Sequence, residues 1–206
     1  MKIWSAVMEG TDILKNKSIL SAQLDTEILM SKAINKNREY IILNHDEALN
    51  EENINYFKKL VQERATKKPI AYILNKKFFW KNEFYVNKTT LIPRPDTEII
   101  VEQILKVTKN KNNLRILDIG VGSGCILLSI LKEKKNFYGT GIDISKNSLD
   151  ISRINAKKLF VDERVKFFQS DVDKFDQGKY DLIVSNPPYI NPVSYTHLTL
   201  PTILLV

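Results

Sequence analysis

Cysteine occurs once in the 206 residues, at Cys125, and histidine only twice, at His45 and His197. One thiol cannot close an internal disulfide, and so little sulfur and imidazole cannot furnish a zinc cluster, so no metal site is expected. Long apolar runs are also missing. The opening MKIWSAVMEG has neither the apolar stretch nor the small-residue cleavage site of a secretory signal, so a cytoplasmic protein with no membrane contact is expected. The net charge of +7 and the pI near 9.3 would suit an acidic partner. Yet there is no stripe of arginine with interleaved aromatics, and lysine is spread along the whole chain, so no direct nucleic-acid substrate is expected. No internal repeat or low-complexity tract is visible.

What remains is 43% hydrophobic and 27% charged, a balance that suits one large globular domain or two modest ones. Residues 1–72 read as a small helical domain. Apolar positions recur at helical spacing in ILSAQLDTEILMSKAI and again in NEENINYFKKLVQERA, before Pro69. Residues 73–92 read as a linking β-hairpin, two aromatic-rich strands about a turn near Lys81 and Asn82. From residue 93 to 192 the character changes. DTEIIVEQILKVTK predicts a helix capped by Asp96 or Thr97. Next come a strand RILDIG, a helix GCILLSILKEK, a strand FYGTGIDI, a helix SKNSLDISRINAKKLF, and strands VKFFQSD and YDLIVSN. Such alternation predicts an α/β fold, a mostly parallel Rossmann-like sheet with helices on its faces.

LDIGVGSGC places Gly120, Gly122 and Gly124 between a buried strand and a helix. Missing Cβ atoms let a ligand approach the backbone there, and the helix start offers free N–H groups. The spacing is not the dinucleotide fingerprint, because the third glycine comes one residue early. Asp118, at the strand end, would sit badly beside a pyrophosphate and well beside a cationic amino group. Asp143 closes the next strand, where a carboxylate can accept both ribose hydroxyls, although capping the helix that starts at Ser145 would also use it. Asp171, after the third strand, is placed to reach an adenine edge. Together these residues predict a nucleoside with a cationic tail and no phosphate, which fits S-adenosyl-L-methionine better than NAD. Cys125 reads as a small packing residue, since no histidine is placed in sequence to activate it.

The fourth strand ends in VSNPPYI, so Asn186 should face the same crevice. Two prolines stop a sheet ladder and stiffen the chain. An amide or exocyclic amine nitrogen is a poor nucleophile because its lone pair is delocalised. If the Asn186 side-chain oxygen and the Pro187 carbonyl each accept one N–H of an incoming NH₂, the group is held with its lone pair toward an electrophilic methyl. Tyr189 can pack against the planar group, and Pro188 keeps the segment rigid. Read alone, NPPY would be a strand terminator with a buried tyrosine.

ILDIGVGSG, GIDIS, FFQSD and DLIVSNPPYI, preceded by PIAYIL and LIPRPDTEIIVE, resemble the glutamine N5-methyltransferases of bacterial peptide chain release factors, the HemK/PrmC family, from roughly residue 20 to 190. NPPY is shared with DNA adenine and some RNA methyltransferases, so LIPRPDTE beside PIAYIL is the more discriminating part. The resemblance implies a class I methyltransferase domain and a helical N-terminal domain that helps grip the release factor. It implies methylation of the glutamine in the Gly-Gly-Gln loop. Gly120, Val121, Gly122, Ser123, Gly124, Asp143, Asp171, Val172 and Asn186 would contact the cofactor; Val172 stands where relatives often carry tryptophan. Asn186, Pro187, Pro188 and Tyr189 would hold the substrate glutamine, and Asn186, Pro187 and Tyr189 would do the chemistry. RPDTE reads as a helix start, with Arg94 or Glu98 as further contributors to the site wall. Rival readings are a ribosomal-protein glutamine methyltransferase, a nucleic-acid amino-methyltransferase and an inactive cofactor-binding fragment. A monomer is expected. Residues 193–206 depart from the family pattern, which predicts a foreign tail and an incomplete sheet.

Overall fold

In this computed structural model residues 1–186 and 202–205 are described, the latter as backbone only. The chain divides into two units, Met1–Asn75 and Lys76–Val206. The first is helical: α1 (Ile3–Asn16), α2 (Ala22–Ile34), α3 (Arg38–Leu43), α4 (Glu51–Ala65) and α5 (Ile70–Leu74). Asparagine punctuates it. Asn37 and Asn50 cap α3 and α4, their side-chain oxygens accepting from the N–H of Tyr40 at 2.9 Å and of Asn53 at 2.7 Å. Asn35 and Asn75 end α2 and α5 in the left-handed conformation that asparagine tolerates. Ile3, Val7, Leu14, Leu29, Met30, Phe57, Leu60 and Val61 form its core. At Gly10 a Cβ would lie 2.8 Å from Thr26 Cγ2 and 3.0 Å from Phe57 Cζ, so the missing side chain is what lets α1 approach α2 and α4. The Arg64 guanidinium, 2.7 Å from Asp25 Oδ2, ties α4 to α2 from a largely buried position.

The second unit begins with the hairpin, β1 (Lys76–Phe79) and β2 (Asn82–Tyr85), paired Phe79 to Asn82. The predicted α/β alternation follows, each element ending within two residues of its expected limit: α6 (Glu98–Val107), β3 (Arg115–Ile119), α7 (Cys125–Glu133), β4 (Tyr138–Asp143), α8 (Lys146–Lys158), β5 (Val165–Gln169) and β6 (Leu182–Ser185). The sheet order is β5-β4-β3-β6-β7, with β7 at Thr202–Leu205. The first four strands run parallel, and β7 pairs antiparallel with β6. Residues from the predicted tail therefore supply a strand beside β6. The interior is made by Ile116, Ile142, Leu182 and Val184 of the sheet and by Ile126, Leu127, Leu128, Ile130 and Leu131 of α7. Burying a side chain of this size is worth about 1.5–3 kcal/mol. Gly139 brings α7 onto β4, since a Cβ there would lie 2.8 Å from Leu127 Cδ1. Among the described residues no helix is long and apolar enough to cross a membrane.

Candidate active site

Strand register builds the site. Ile119 pairs with Ile142 on one side and with Ser185 on the other, and Asp143 pairs with Gln169. The residues that follow Ile119 and Ser185, namely Gly120 and Asn186, therefore leave neighbouring parallel strands at one level, and Asp143 joins them from β4. The chain winds from β3 outward through β4 to β5 and then returns to place β6 on the other side of β3. Such a switch point opens a crevice at the carboxyl ends of the strands.

Gly120, Gly122 and Gly124 all have positive φ, at 73°, 57° and 80°, which favours glycine at each. Their reasons differ. Among the described residues, a Cβ on Gly120 would meet nothing within 4 Å and one on Gly122 only the Gly120 carbonyl oxygen at 3.9 Å, whereas one on Gly124 would strike Leu128 Cδ1 at 2.7 Å. Gly124 serves helix packing, and the first two leave open space over the turn. The Ile142 carbonyl accepts from the N–H groups of Gly120 at 2.9 Å and Val121 at 3.0 Å, and Gly124 N–H donates to the Val121 carbonyl at 2.8 Å. The side chains of Val121 and Ser123 are buried, so toward a ligand these two residues offer main chain.

Asp143 closes the turn from the side. Its Oδ2 accepts from Gly122 N–H at 3.0 Å and its Oδ1 from Ser145 N–H at 2.9 Å. The cap of α8 falls to Ser145, whose Oγ accepts from Ser148 N–H at 3.2 Å. The Asp143 carboxylate thus joins the loops after β3 and β4 and keeps lone pairs for a further donor. Asp118 is buried, and burial pushes its carboxyl up to about 7; the Asp143 charge adds to this, while the Leu127 N–H, in the first turn of α7, opposes it. Loss of water around the sulfur pushes the Cys125 thiol up to about 12, which disfavours the thiolate form that a nucleophile needs. Asp171 lies exposed beyond β5, where its side chain accepts from Asp173 N–H at 3.3 Å, and Val172 beside it is half exposed.

Asn186 donates from Nδ2 to Thr97 Oγ at 3.2 Å, and Ser185 just before it donates from Oγ to the Ile119 carbonyl at 3.1 Å. Pro187, Pro188 and Tyr189 lie outside the described residues. RPDTE does start a helix, Pro95 opening a short 3-10 turn into α6, but the cap expected of Thr97 is not made: among the described residues its side chain has no cap bond to α6. Its hydroxyl goes to the asparagine instead. Glu98 is engaged too, its Oε1 accepting from Trp80 N–H at 2.8 Å in the hairpin turn. Sequence reasoning missed Thr97 because its partner lies 89 residues away, and only the composition of RPDTE hinted at a site.

A glycine turn with open space over it, a carboxylate at the end of the adjacent strand and an asparagine leaving the strand on the other side define a class I methyltransferase domain. Residues 96–204, more than half of the chain, match the methyltransferase small domain family, and residues 5–74 match the PrmC N-terminal domain. A release factor glutamine methyltransferase of Leptospira interrogans is 38% identical, the alignment covering 93% of this chain and 68% of that protein. One from Buchnera aphidicola subsp. Baizongia pistaciae is 41% identical over 85% of this chain and 63% of its own. A bifunctional methyltransferase of Rickettsia felis is 36% identical over 98% of this chain and 44% of its own. This chain belongs to the release factor glutamine methyltransferase family. It spans under half the length of the Rickettsia protein and about two thirds of the other two. The family uses S-adenosylmethionine. Among solved structures, an RNA methyltransferase from Salinibacter ruber in complex with S-adenosyl-L-homocysteine aligns over 46% of this chain and 76% of that one, at 21% identity and a TM-score of 0.40.

Proposed function

We propose that this protein methylates the side-chain amide nitrogen of the glutamine in the Gly-Gly-Gln loop of a peptide chain release factor. The observation that carries the reading is the register of β3 and β6, in which Ile119 pairs with Ser185. The turn suited to the cofactor and the asparagine suited to the amide thus emerge side by side at the switch point. S-adenosyl-L-methionine would supply an electrophilic methyl group. The open cradle over Gly120 and Gly122 fits it, with main chain of Val121, Ser123 and Gly124 completing the turn. Asp143 would accept from the ribose hydroxyls, and Asp171 and Val172 would border the adenine.

The chain's own part in the chemistry is to orient a weak nucleophile. With Nδ2 of Asn186 turned to Thr97, its Oδ1 is the atom left to accept an N–H of the substrate amide, and the Pro187 carbonyl would accept the other. Tyr189 would pack on the amide plane, and Pro188 would hold the segment stiff. The proton leaves after transfer, so no strong base is required. The helical unit matched by residues 5–74 would grip the release factor, and the protein would act as a monomer. Incubation with labelled S-adenosylmethionine and, separately, release factor, ribosomal protein and DNA tests this. Label on the release factor glutamine is expected; label on DNA with none on protein would overturn the assignment.

A further inference from the structure

Four N–H groups of the glycine turn, those of Gly120, Val121, Gly122 and Gly124, bond to the Ile142 and Val121 carbonyls and to Asp143, and two of its carbonyls have partners of another kind. Ser152 donates from Oγ to the Gly122 carbonyl at 2.8 Å, and Asn155 donates from Nδ2 to the Ser123 carbonyl at 2.9 Å. Asn155 also clasps the main chain of Tyr85 in the hairpin, its Oδ1 accepting from Tyr85 N–H at 2.7 Å and its Nδ2 donating to the Tyr85 carbonyl at 2.9 Å. One turn earlier, Ser148 donates to the Thr89 carbonyl at 3.1 Å. Residues 148, 152 and 155 share one face of α8. All three are buried, Ser152 and Asn155 completely.

A helix face pressed on a sheet is ordinarily apolar, because each buried polar group costs free energy unless it is paired. Here the polar stripe is paired in full, and its partners are main chain of the glycine turn, of Thr89 and of Tyr85 at the end of β2, and not the parallel sheet. The contrast lies on the preceding helix: Ser129 of α7 is equally buried, yet its hydroxyl has no partner among the described residues. A turn with three glycines at positive φ gains little stiffness from its own side chains, so ties from outside must hold it.

We infer that the inner face of α8 is a positioning device for the cofactor turn: Ser152 and Asn155 hold the Gly122 and Ser123 carbonyls from beneath, and Asn155 locks that turn to the hairpin. Neither side chain touches the reacting groups; both act through the main chain. The inference rests on the glycine turn being the cofactor cradle, and the test separates the two. Ser152→Ala, Asn155→Asp and the control Ser129→Ala are compared by hydrogen exchange of the ligand-free protein and by calorimetric titration with S-adenosylhomocysteine. Ser152→Ala is expected to speed exchange of the Gly122 and Gly124 amides about tenfold and to weaken binding about tenfold, the loss of roughly one buried hydrogen bond, while Ser129→Ala changes neither. Asn155→Asp, which keeps the acceptor for Tyr85 N–H and loses both donated bonds, should loosen the turn further. Unchanged exchange at Gly122 and Gly124 in Ser152→Ala overturns the inference, as does acceleration spread evenly over the sheet. Faster exchange at the turn in a protein whose parent fails to bind S-adenosylhomocysteine upholds the positioning role and sinks the cofactor reading.

Discussion

Asp118 shows how a single side chain can lower stability where it stands. Its carboxyl is raised by burial from 3.8 to about 7. Between about pH 4 and pH 7 the folded protein therefore holds a proton that the unfolded chain has released. The stability linked to this proton is fully present below about pH 4 and lost as pH rises through 7. Asp118→Asn should flatten that slope and, by the shift in proton affinity, gain up to about 4 kcal/mol at pH 8. Urea unfolding at pH 5 and pH 8 checks it, the gain being larger at the higher pH. Asn186 and Thr97 make the second residue-scale case. Asn186→Ala should reduce methyl transfer by two or more orders of magnitude, a loss of about 3 kcal/mol or more of orientation, with S-adenosylhomocysteine affinity kept within a few-fold. Thr97→Val, which keeps shape and loses the acceptor, should lower kcat about tenfold with little change in cofactor affinity, and Thr97→Ser should restore it. Steady-state kinetics with release factor, alongside calorimetry, separate these outcomes.

At the scale of elements, period and punctuation carried the reading and long-range pairing escaped it. Apolar runs such as RILDI and LIVS marked β3 and β6 because both faces of a parallel strand are covered. The helical spacing of apolar residues marked α2 and α4. The start of α6 was legible from Pro95, but the destination of its threonine was not. Propensity tells which residues can cap a helix and says nothing of a partner 89 positions along. The hairpin was expected to turn near Lys81 and Asn82, and it turns one residue sooner, with Trp80 at φ 55° and its N–H held by Glu98. A long-range carboxylate stabilises a backbone conformation that tryptophan would not choose alone. Close helix packing was equally hidden. Gly10 sits in a helical run where glycine is a poor former, and the compensation is the approach of Thr26 and Phe57. Gly10→Val should destabilise the helical unit by about 1–3 kcal/mol through overpacking, visible as a lower urea midpoint by far-ultraviolet circular dichroism.

For the whole molecule, the two proposed jobs fall on either side of the division at Asn75 and Lys76. Every proposed cofactor contact lies in the second unit, so the same Gly10→Val variant should bind S-adenosylhomocysteine within about twofold of the parent at temperatures where it stays folded, since the substitution alters the core of the other unit alone; calorimetry reads this directly. The second unit's fold was legible almost throughout, because each of its strands and helices bears its own periodic signature. The asparagine and the glycine turn were also legible as motifs, but their meeting was an inference from topology until the pairing of Ile119 with Ser185 gave the level at which each chain departs. That pairing has a further consequence. Adjacent strands stand about 4.8 Å apart whatever their side chains, so the spacing between the glycine turn and the asparagine, the proposed seats of methyl donor and acceptor, is a ruler drawn by peptide geometry alone. In the proposed reaction, mutation can reshape what approaches from outside, and so change which nitrogen is delivered, while the step across the sheet stays the same.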